Sequence, residues 1–259
     1  YTTTFLATVK SRLSDLASAR VMLEQSAVQF RAAGDRWGLA LALDFLGDTL
    51  RRSDDFTAAE AAYRESLELF RALGDQWGIL VPLLDLGVVA YLLEDFGQAK
   101  SLLEEGLVIE REAGEKWLTI LSINYLGEVA RCEGDYERAE GLYQEAMTLC
   151  RKLGRHVSMP YVMHNLGHVA LHRGDDQQAS ALFKESLELF RSQGSRQGMA
   201  DCLGGLAGVA GAQGQAKAAA QLLGAVDATR GESGALRWPA DRLEYEHHLA
   251  RSRALLDDA

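Results

Sequence analysis

Glycine recurs every 40 residues along this chain of 259 residues. The series comprises Gly34, Gly74, Gly114, Gly154, Gly194 and Gly234. A fixed period of this length is typical of a repeat array, in which each unit packs mainly on its neighbours instead of around one central core. We therefore expect a protein built by stacking similar units.

The unit is clearest in residues 36–75. Apolar residues recur there at helical spacing in two stretches separated by Asp54 and Asp55, which predicts two helices joined by a short turn. Gly74 lies where the second helix is expected to end, because a left-handed conformation costs glycine little. Asp75 is then placed to cap the next helix with its side-chain oxygen.

Small residues recur on both helices of each unit. We expect them to face each other and to let the two helix backbones approach closely. The two series are Gly47, Gly87, Gly127, Gly167 and Ala207 on the first helix, and Ala59, Ala99, Ala139, Ala179 and Ala219 on the second.

Three tryptophans and a charged pattern also follow the period. Trp37, Trp77 and Trp117 begin successive first helices and are expected to wedge between neighbouring units. An arginine recurs in the last turn of each second helix, where a cation suits the negative end of the helix dipole, and a glutamate recurs on the same helices. We interpret these charges as solvated or as pairs between repeats.

The segments LGEVARCEGDYERAEGLYQEA (126–146) and LGHVALHRGDDQQASALFKES (166–186) resemble the tetratricopeptide repeat, in a form with a 40-residue period. The resemblance implies an all-α fold, a right-handed α-solenoid of antiparallel helix pairs, here with about 13 helices. It predicts an array over residues 1–230, followed by a loop and a C-terminal capping helix over 231–259. The units of the array would be a partial unit at 1–35 and full units at about 36–75, 76–115, 116–155, 156–195 and 196–230.

The fifth full unit is rich in glycine and alanine, so its first helix should depend on packing against the preceding unit. The C-terminal helix carries Leu243, His247, Ala250 and Ala254 at helical spacing. This stripe is predicted to cover the exposed face of the last unit, as a capping element does in repeat proteins.

The segment AAAQLLGAVDATR (218–230) and the pattern R-x-E-Y-E-x-x-L-x-x-x-R (242–253) resemble the C-terminal sensor region of bacterial STAND-type regulators, which are linked to LuxR-family or cyclase outputs. The resemblance implies a sensor arm that relays binding to ATPase and output domains elsewhere in the same protein. Because the sequence begins at Tyr1, we expect it to be part of a longer chain.

In tetratricopeptide arrays the first helix of each pair lines a concave groove that binds peptides or protein segments. The residues that the resemblance places there are Asp44, Asp48, Arg51, Arg52, Leu84, Val88, Tyr91, Asn124, Glu128, Arg131, His164, Asn165, His168 and His172. Asp44 and Asp48 stand where some members clamp a C-terminal carboxylate, so they favour a basic or amine-bearing partner instead. The alternative, that both are merely solvated helix positions, stays open.

His164, His168 and His172 are spaced four apart and so share one helix face. Two histidines at this spacing can ligate a metal. No Cys, Asp or Glu of suitable spacing lies nearby in the sequence, so we predict groove-lining polar side chains and no metal. A pH-sensitive contact is a further possibility, because neighbouring imidazoles resist being protonated together.

Composition excludes several functions. The formal net charge is −10 without a basic cluster, which argues against direct nucleic-acid binding. The longest apolar stretches are too short to span a membrane, and the three cysteines fit a reduced, cytoplasmic protein. Motifs of phosphate binding, nucleophilic catalysis or redox chemistry are absent from the sequence, so we expect neither an enzyme nor a cofactor.

The sequence thus predicts a non-enzymatic protein- or peptide-binding array, the sensor or interaction arm of a larger bacterial signalling or transcriptional regulator. One alternative is a stand-alone adaptor scaffold for assembling protein complexes. Another is a peptide-pheromone sensor, which would need groove asparagines to bind the peptide backbone. Asn124 and Asn165 are the two candidates for that role.

Overall fold

The computed structural model describes residues 1–12, 15–154, 157–230 and 238–257. Across these ranges the chain forms thirteen α-helices and no strand. The helices are α1 (Thr2–Arg12), α2 (Leu16–Ala33), α3 (Arg36–Arg52), α4 (Phe56–Leu73), α5 (Leu80–Leu92), α6 (Phe96–Ala113), α7 (Lys116–Cys132), α8 (Tyr136–Leu153), α9 (Met159–His172), α10 (Asp176–Gln193), α11 (Arg196–Ala212), α12 (Ala216–Arg230) and α13 (Pro239–Asp257). The prediction of an all-α chain of about 13 helices is confirmed.

The helices form two compact units, residues 1–122 and 123–259, and the division falls within α7. In the first unit, successive helices from α1 to α6 pack on one another as antiparallel neighbours. In the second, α9 packs on α10, α10 on α11 and α11 on α12, while α13 packs on both α11 and α12. Each unit therefore consists of stacked helix pairs, and the second carries one additional helix.

The 40-residue glycine series ends the second helix of each pair. Gly34, Gly74, Gly114, Gly154 and Gly194 have φ between 61° and 74°, the left-handed region in which a Cβ atom is strained. The N–H of Gly74, for example, is 3.1 Å from the carbonyl oxygen of Arg71. The predicted helix-ending role is confirmed at these five positions, and Gly234 lies outside the described residues.

Aspartates begin the helices. Oδ1 of Asp35 accepts a hydrogen bond from the backbone N–H of Gly38 at 2.8 Å, and Asp75 does the same for Gly78 at 2.9 Å. The bond of Asp75 lies in the turn before α5, whose N-cap is Ile79 without a side-chain hydrogen bond, so the prediction that Asp75 caps the next helix is wrong. The second helices are capped in the same way as α3, by Asp15, Asp55, Asp95, Asp135 and Asp175.

The glycines of the leucine–glycine pairs pack against large side chains of the second helix. A Cβ at Gly47 would lie 2.6 Å from Cε1 of Tyr63, and one at Gly127 would lie 2.4 Å from Cε1 of Tyr143. At these two positions the glycine makes room for a large side chain on the second helix. At Gly87 a Cβ would lie 2.7 Å from Cγ of Leu103 and 3.5 Å from the carbonyl oxygen of Ala99, so the expected close approach to the matching small residue is found there. The matching alanines are fully buried in the same cores.

Some contacts between repeats lie at the surface. Nε1 of Trp37 donates to Oδ2 of Asp75 at 3.0 Å, and the Trp37 ring packs edge-on against Phe70 at a centroid distance of 6.4 Å. Trp37 nevertheless stays 44% exposed, so it bridges two repeats without being buried between them. Arg31 pairs with Glu65 at 2.5 Å. Such exposed pairs add little to stability.

Candidate functional site

In the first unit, three carboxylates gather on the face formed by the first helices α3 and α5. Asp44 is 8% exposed, and its Oδ1 makes no hydrogen bond with a residue that the structure describes. Burial, together with the charges of Asp85 and Asp48, raises the pKa of Asp44 well above its ordinary value. Burial likewise raises the pKa of Asp85 to about 6, although Arg51 opposes this shift.

The other residues predicted for this part of the groove differ in accessibility. Arg51 donates from Nη2 to Oδ1 of Asp48 at 2.7 Å, so these two predicted contacts bind each other. Arg52 is half-buried. Leu84, Val88 and Tyr91 are buried, with 5%, 2% and 0% of their surface exposed. These three apolar side chains therefore belong to the packed interior and offer little surface to a partner.

In the second unit, α9 carries the histidines of interest. His164 and His168 are buried, with 5% and 3% exposed, and their rings meet edge to face at a centroid distance of 4.7 Å. His172 is exposed and stacks on the ring of Tyr136 at 3.5 Å. The three histidines share a side of α9 as predicted from their spacing, but they lie in two different environments.

The C-terminal helix α13 lies against this histidine face. Oδ1 of Asp241 is 3.2 Å from Nε2 of His164 and accepts a hydrogen bond from Nη2 of Arg131 at 3.4 Å. One turn later, Oε1 of Glu244 accepts a hydrogen bond from the Tyr136 hydroxyl at 3.3 Å. Two acidic side chains of α13 thus bind polar residues on α7, α8 and α9.

An amide network holds Arg131 in place. Nη1 of Arg131 donates to Oδ1 of Asn165 at 2.8 Å. Nδ2 of Asn165 donates in turn to Oδ1 of Asn124 at 3.0 Å, and Nδ2 of Asn124 donates to Oε1 of Glu128 at 2.9 Å. The side-chain amides of Asn124 and Asn165, which could have bound a peptide backbone, therefore hydrogen-bond to each other. They also bind the neighbouring Glu128 and Arg131.

The charge states in this cluster follow from the geometry. Burial lowers the pKa of His164, but the adjoining Asp241 carboxylate outweighs burial and holds the net pKa of His164 above its ordinary value. Burial, followed by the charges of Arg131 and His164, lowers the pKa of His168 well below its ordinary value. At neutral pH His164 is therefore a cation paired with Asp241, and His168 is neutral.

The buried side of α13 differs from the predicted stripe. Leu243, His247, Ala250 and Ala254 are exposed, so the prediction that this stripe covers the last unit is wrong. The side chains that face the protein are those of Asp241, Glu244 and His248, together with Ala240. The reason is chemical complementarity, because the face that receives α13 carries arginine and histidine.

The glycines of α11 explain how α13 reaches this position. A Cβ at Gly208 would lie 2.4 Å from Nε2 of His248, so any larger residue there would displace the imidazole. The fifth full unit carries mostly glycine and alanine on its first helix, and α13 docks on this unit. The sequence signal for this is the polar row Asp241, Glu244 and His248, spaced by three and four residues on one helix face.

Comparison with known proteins places these observations in a family. The family model described as tetratricopeptide repeat matches residues 1–72, 38–112, 76–152, 118–192 and 158–225. No functionally curated protein matches the chain in sequence. No helix among the described residues has the length and apolar character needed to cross a bilayer.

Solved structures share the fold at low identity. BtubC from P. vanneervenii is 21% identical, with a TM-score of 0.66, over 84% of this chain and 92% of that one. A Rap protein complexed with Competence and Sporulation Factor is 11% identical, with a TM-score of 0.69, over 99% and 76%. A signal-transduction ATPase with numerous domains and a tetratricopeptide repeat sensor, from Pyrococcus horikoshii, is 15% identical, with a TM-score of 0.70. The match spans 99% of this chain and 43% of that protein.

Proposed function

The chain belongs to the tetratricopeptide repeat family, and on that premise we propose that it is a non-enzymatic, cytoplasmic interaction arm of a larger signalling regulator. Its partner is a helical protein segment with acidic side chains on one face. The binding surface, here called the receiving face, consists of Arg131, Tyr136, His164 and His168. No nucleic acid takes part in this contact.

One observation carries the proposal. The receiving face already binds a helix, because Arg131 and His164 hold Asp241 of α13 while Tyr136 holds Glu244. Hydrogen bonds between charged groups are stronger than neutral ones, and a buried arginine left without its carboxylate would be costly. The face therefore suits an acidic helix, and α13 is an occupant that a partner can replace.

The likeness to a STAND protein with a tetratricopeptide repeat sensor supports a sensing role for the array. Displacement of α13 would give such a sensor two states, one closed by its own helix and one open to a partner. The adaptor alternative lacks a comparable switch. The peptide-pheromone alternative is less favoured, because the side-chain amides of Asn124 and Asn165 bond each other.

The test is binding of a labelled peptide of residues 238–257 to the 259-residue chain, measured by fluorescence anisotropy. In the wild-type protein α13 competes with the peptide in cis, so binding should be weak. In the double variant Asp241→Asn, Glu244→Gln the resident helix is weakened, and binding of the unaltered peptide should tighten by about tenfold or more, which is the effect of roughly 1.4 kcal/mol.

Glu246→Gln is the matched control, since Glu246 is an exposed carboxylate on the same helix. This variant should bind the peptide as weakly as the wild-type protein does. A peptide that itself carries Asn at 241 and Gln at 244 should fail to bind the double variant. Equal binding of both peptides would mean that the receiving face does not read acidic side chains, and the proposal would be abandoned.

A further inference from the structure

The contact between α9 and α13 contains more imidazole and carboxylate groups than the ion pairs require. Asp241 is engaged by His164 and Arg131. His168 and His248 remain beside Glu244, on the side of the cluster that faces a small cavity. The ligand atoms of His168, Glu244 and His248 all lie within 4.8 Å of one another.

The individual distances bring two imidazoles to the same carboxylate. Nδ1 of His168 is 4.0 Å from Oε1 of Glu244, and Nε2 of His248 is 4.0 Å from Oε2 of Glu244. His168 is only 3% exposed, and its Nδ1 makes no hydrogen bond within the described part of the chain. A buried polar atom without a hydrogen bond destabilises the folded state, so we expect Nδ1 of His168 to bind a ligand.

We propose that His168, Glu244 and His248 form a binding site for a divalent metal ion of the zinc type, which ties α13 to α9. Two imidazoles and one carboxylate are a ligand set that Zn²⁺ uses when a fourth position is left to water. Ligand atoms around a tetrahedral zinc ion lie about 3.3 Å apart, so each imidazole nitrogen must approach the Glu244 carboxylate by about 0.7 Å from its present 4.0 Å.

The ligands border a cavity of about 10 Å³, close to the space that one water molecule needs. The cavity is lined by Asp201, Gly204 and Gly205 in addition to the three ligands. A Cβ built at Gly204 would meet no atom within 4 Å, which shows open space on that side. A Cβ at Gly208 would lie 2.4, 2.5 and 2.8 Å from Nε2, Cε1 and Cδ2 of His248. These similar distances place Gly208 over the flat face of the ring, so the in-plane lone pair of Nε2 is not blocked by it.

Three carboxylates border the site, because Asp201, Asp241 and Glu244 line the cavity. Arg131 approaches Glu244 at 3.8 Å, but its guanidinium is also held by Asn165 and Asp241.

The resident metal site needs α13 in its docked position but does not depend on any partner. Isothermal titration of the tag-free 259-residue chain with Zn²⁺ tests it, with Co²⁺ as a second probe whose visible absorption reports tetrahedral coordination. We expect one equivalent to bind. Glu244→Gln and His248→Gln should each weaken binding by more than about 100-fold, the upper end of what changes outside the ligand shell cost.

His247→Ala is the matched control, because His247 is the exposed neighbour of His248 on the same helix. It should bind zinc like the wild-type protein. Hydrogen exchange of the α13 amides shows whether α13 stays docked in Glu244→Gln, so that loss of a ligand is separated from loss of the helix. If wild type binds no zinc, or if zinc binding survives His248→Gln but is lost in His164→Gln, the proposed site is wrong. Running the peptide assay in the presence of EDTA keeps the proposed partner binding independent of either result.

Discussion

Nε2 of His164 lies 3.2 Å from Oδ1 of Asp241, although the two residues are 77 positions apart in the chain. Both side chains are largely buried, with 6% and 13% of their surface exposed. This pair, together with Arg131, fixes α13 on the receiving face. The predictions below concern this contact first and then the helix pairs that support it.

Replacing Asp241 by asparagine should release α13. The change leaves the buried Arg131 and His164 cations without their carboxylate, and removing one partner of a buried pair costs about 3 kcal/mol. We expect faster hydrogen exchange throughout α13 and a lower free energy of unfolding in urea. Glu246→Gln should leave both measurements unchanged. Normal protection of α13 in the Asp241→Asn protein would show that the ion pair does not hold the helix.

Gly208 and Gly204 should respond in opposite ways to substitution by alanine. In a helix interior this change is favourable by about 1 kcal/mol on propensity alone. Gly204 has open space for the new methyl group, so Gly204→Ala should raise the free energy of unfolding. At Gly208 the methyl group would meet His248 at 2.4 Å, and overpacking of this kind costs about 1–3 kcal/mol.

The comparison of these two variants by urea unfolding therefore isolates the contact between α11 and α13. Gly208→Ala should be less stable than Gly204→Ala, and its α13 amides should exchange faster. Two variants of equal stability would mean that His248 has no fixed place over Gly208.

Glu110 should make the protein less stable at pH 8 than at pH 5. Its side chain is fully buried, Ser122 donates to Oε1 at 2.8 Å, and burial raises its pKa to about 7. An acid with a raised pKa in the folded state binds a proton that the unfolded chain has released. The unfolding free energy therefore falls as pH rises from about 4.5 to about 7.

Glu110→Gln should remove about 2 kcal/mol of this fall between pH 5 and pH 8. Asp85, whose pKa is raised to about 6, acts in the same direction and remains in the variant, so a smaller slope should persist. The measurement is urea unfolding of both proteins at several pH values. Identical slopes would show that Glu110 is not protonated in the folded protein.

Glu94 occupies a position at which later repeats have glycine. Its φ is 63°, while Gly134, Gly174 and Gly214 stand at the equivalent places with φ of 78°, 78° and 72°. A left-handed conformation costs a residue with a Cβ roughly 1–2 kcal/mol. Glu94→Gly should therefore raise the unfolding free energy by about 1 kcal/mol, measured by thermal or urea unfolding.

Asp54 has the same conformation with φ of 62°, but aspartate tolerates it better than glutamate does. Asp54→Gly should thus give a smaller gain than Glu94→Gly. The reverse substitution, Gly134→Ala, should destabilise the protein. A loss of stability in Glu94→Gly would contradict the account of backbone strain at this turn.

Several features of the helix pairs were predictable because they depend on residues close together in the chain. The spacing of Leu39, Leu43 and Leu46 predicts a helix, and Gly74 predicts a helix end. Each of these signals acts within one or two turns. The purpose of Gly47 was not predictable in this way, because the side chain that fills its space, Tyr63, belongs to the next helix.

The same difference between local signals and contacts of distant helices applies to the candidate site. Arg131, His164 and His168 were predicted as binding residues from their positions in the repeat, whereas Asp241, Glu244 and His248 were missed. An apolar row on α13 suggested the wrong buried face. That choice followed the usual preference of apolar side chains for the interior, but the receiving face is built of arginine and histidine, and acidic groups match it better.

By itself, the sequence determined an all-α repeat protein, the ends of most of its helices and the class of interaction module, because hydrophobic period and helix capping are local properties of the chain. Only the tertiary structure decided that α13 lies on the receiving face, that Asp241 meets His164, and that His168, Glu244 and His248 converge. A buried polar contact depends on how two helices that are distant in sequence pack together. The spacing of residues within either helix does not specify that packing.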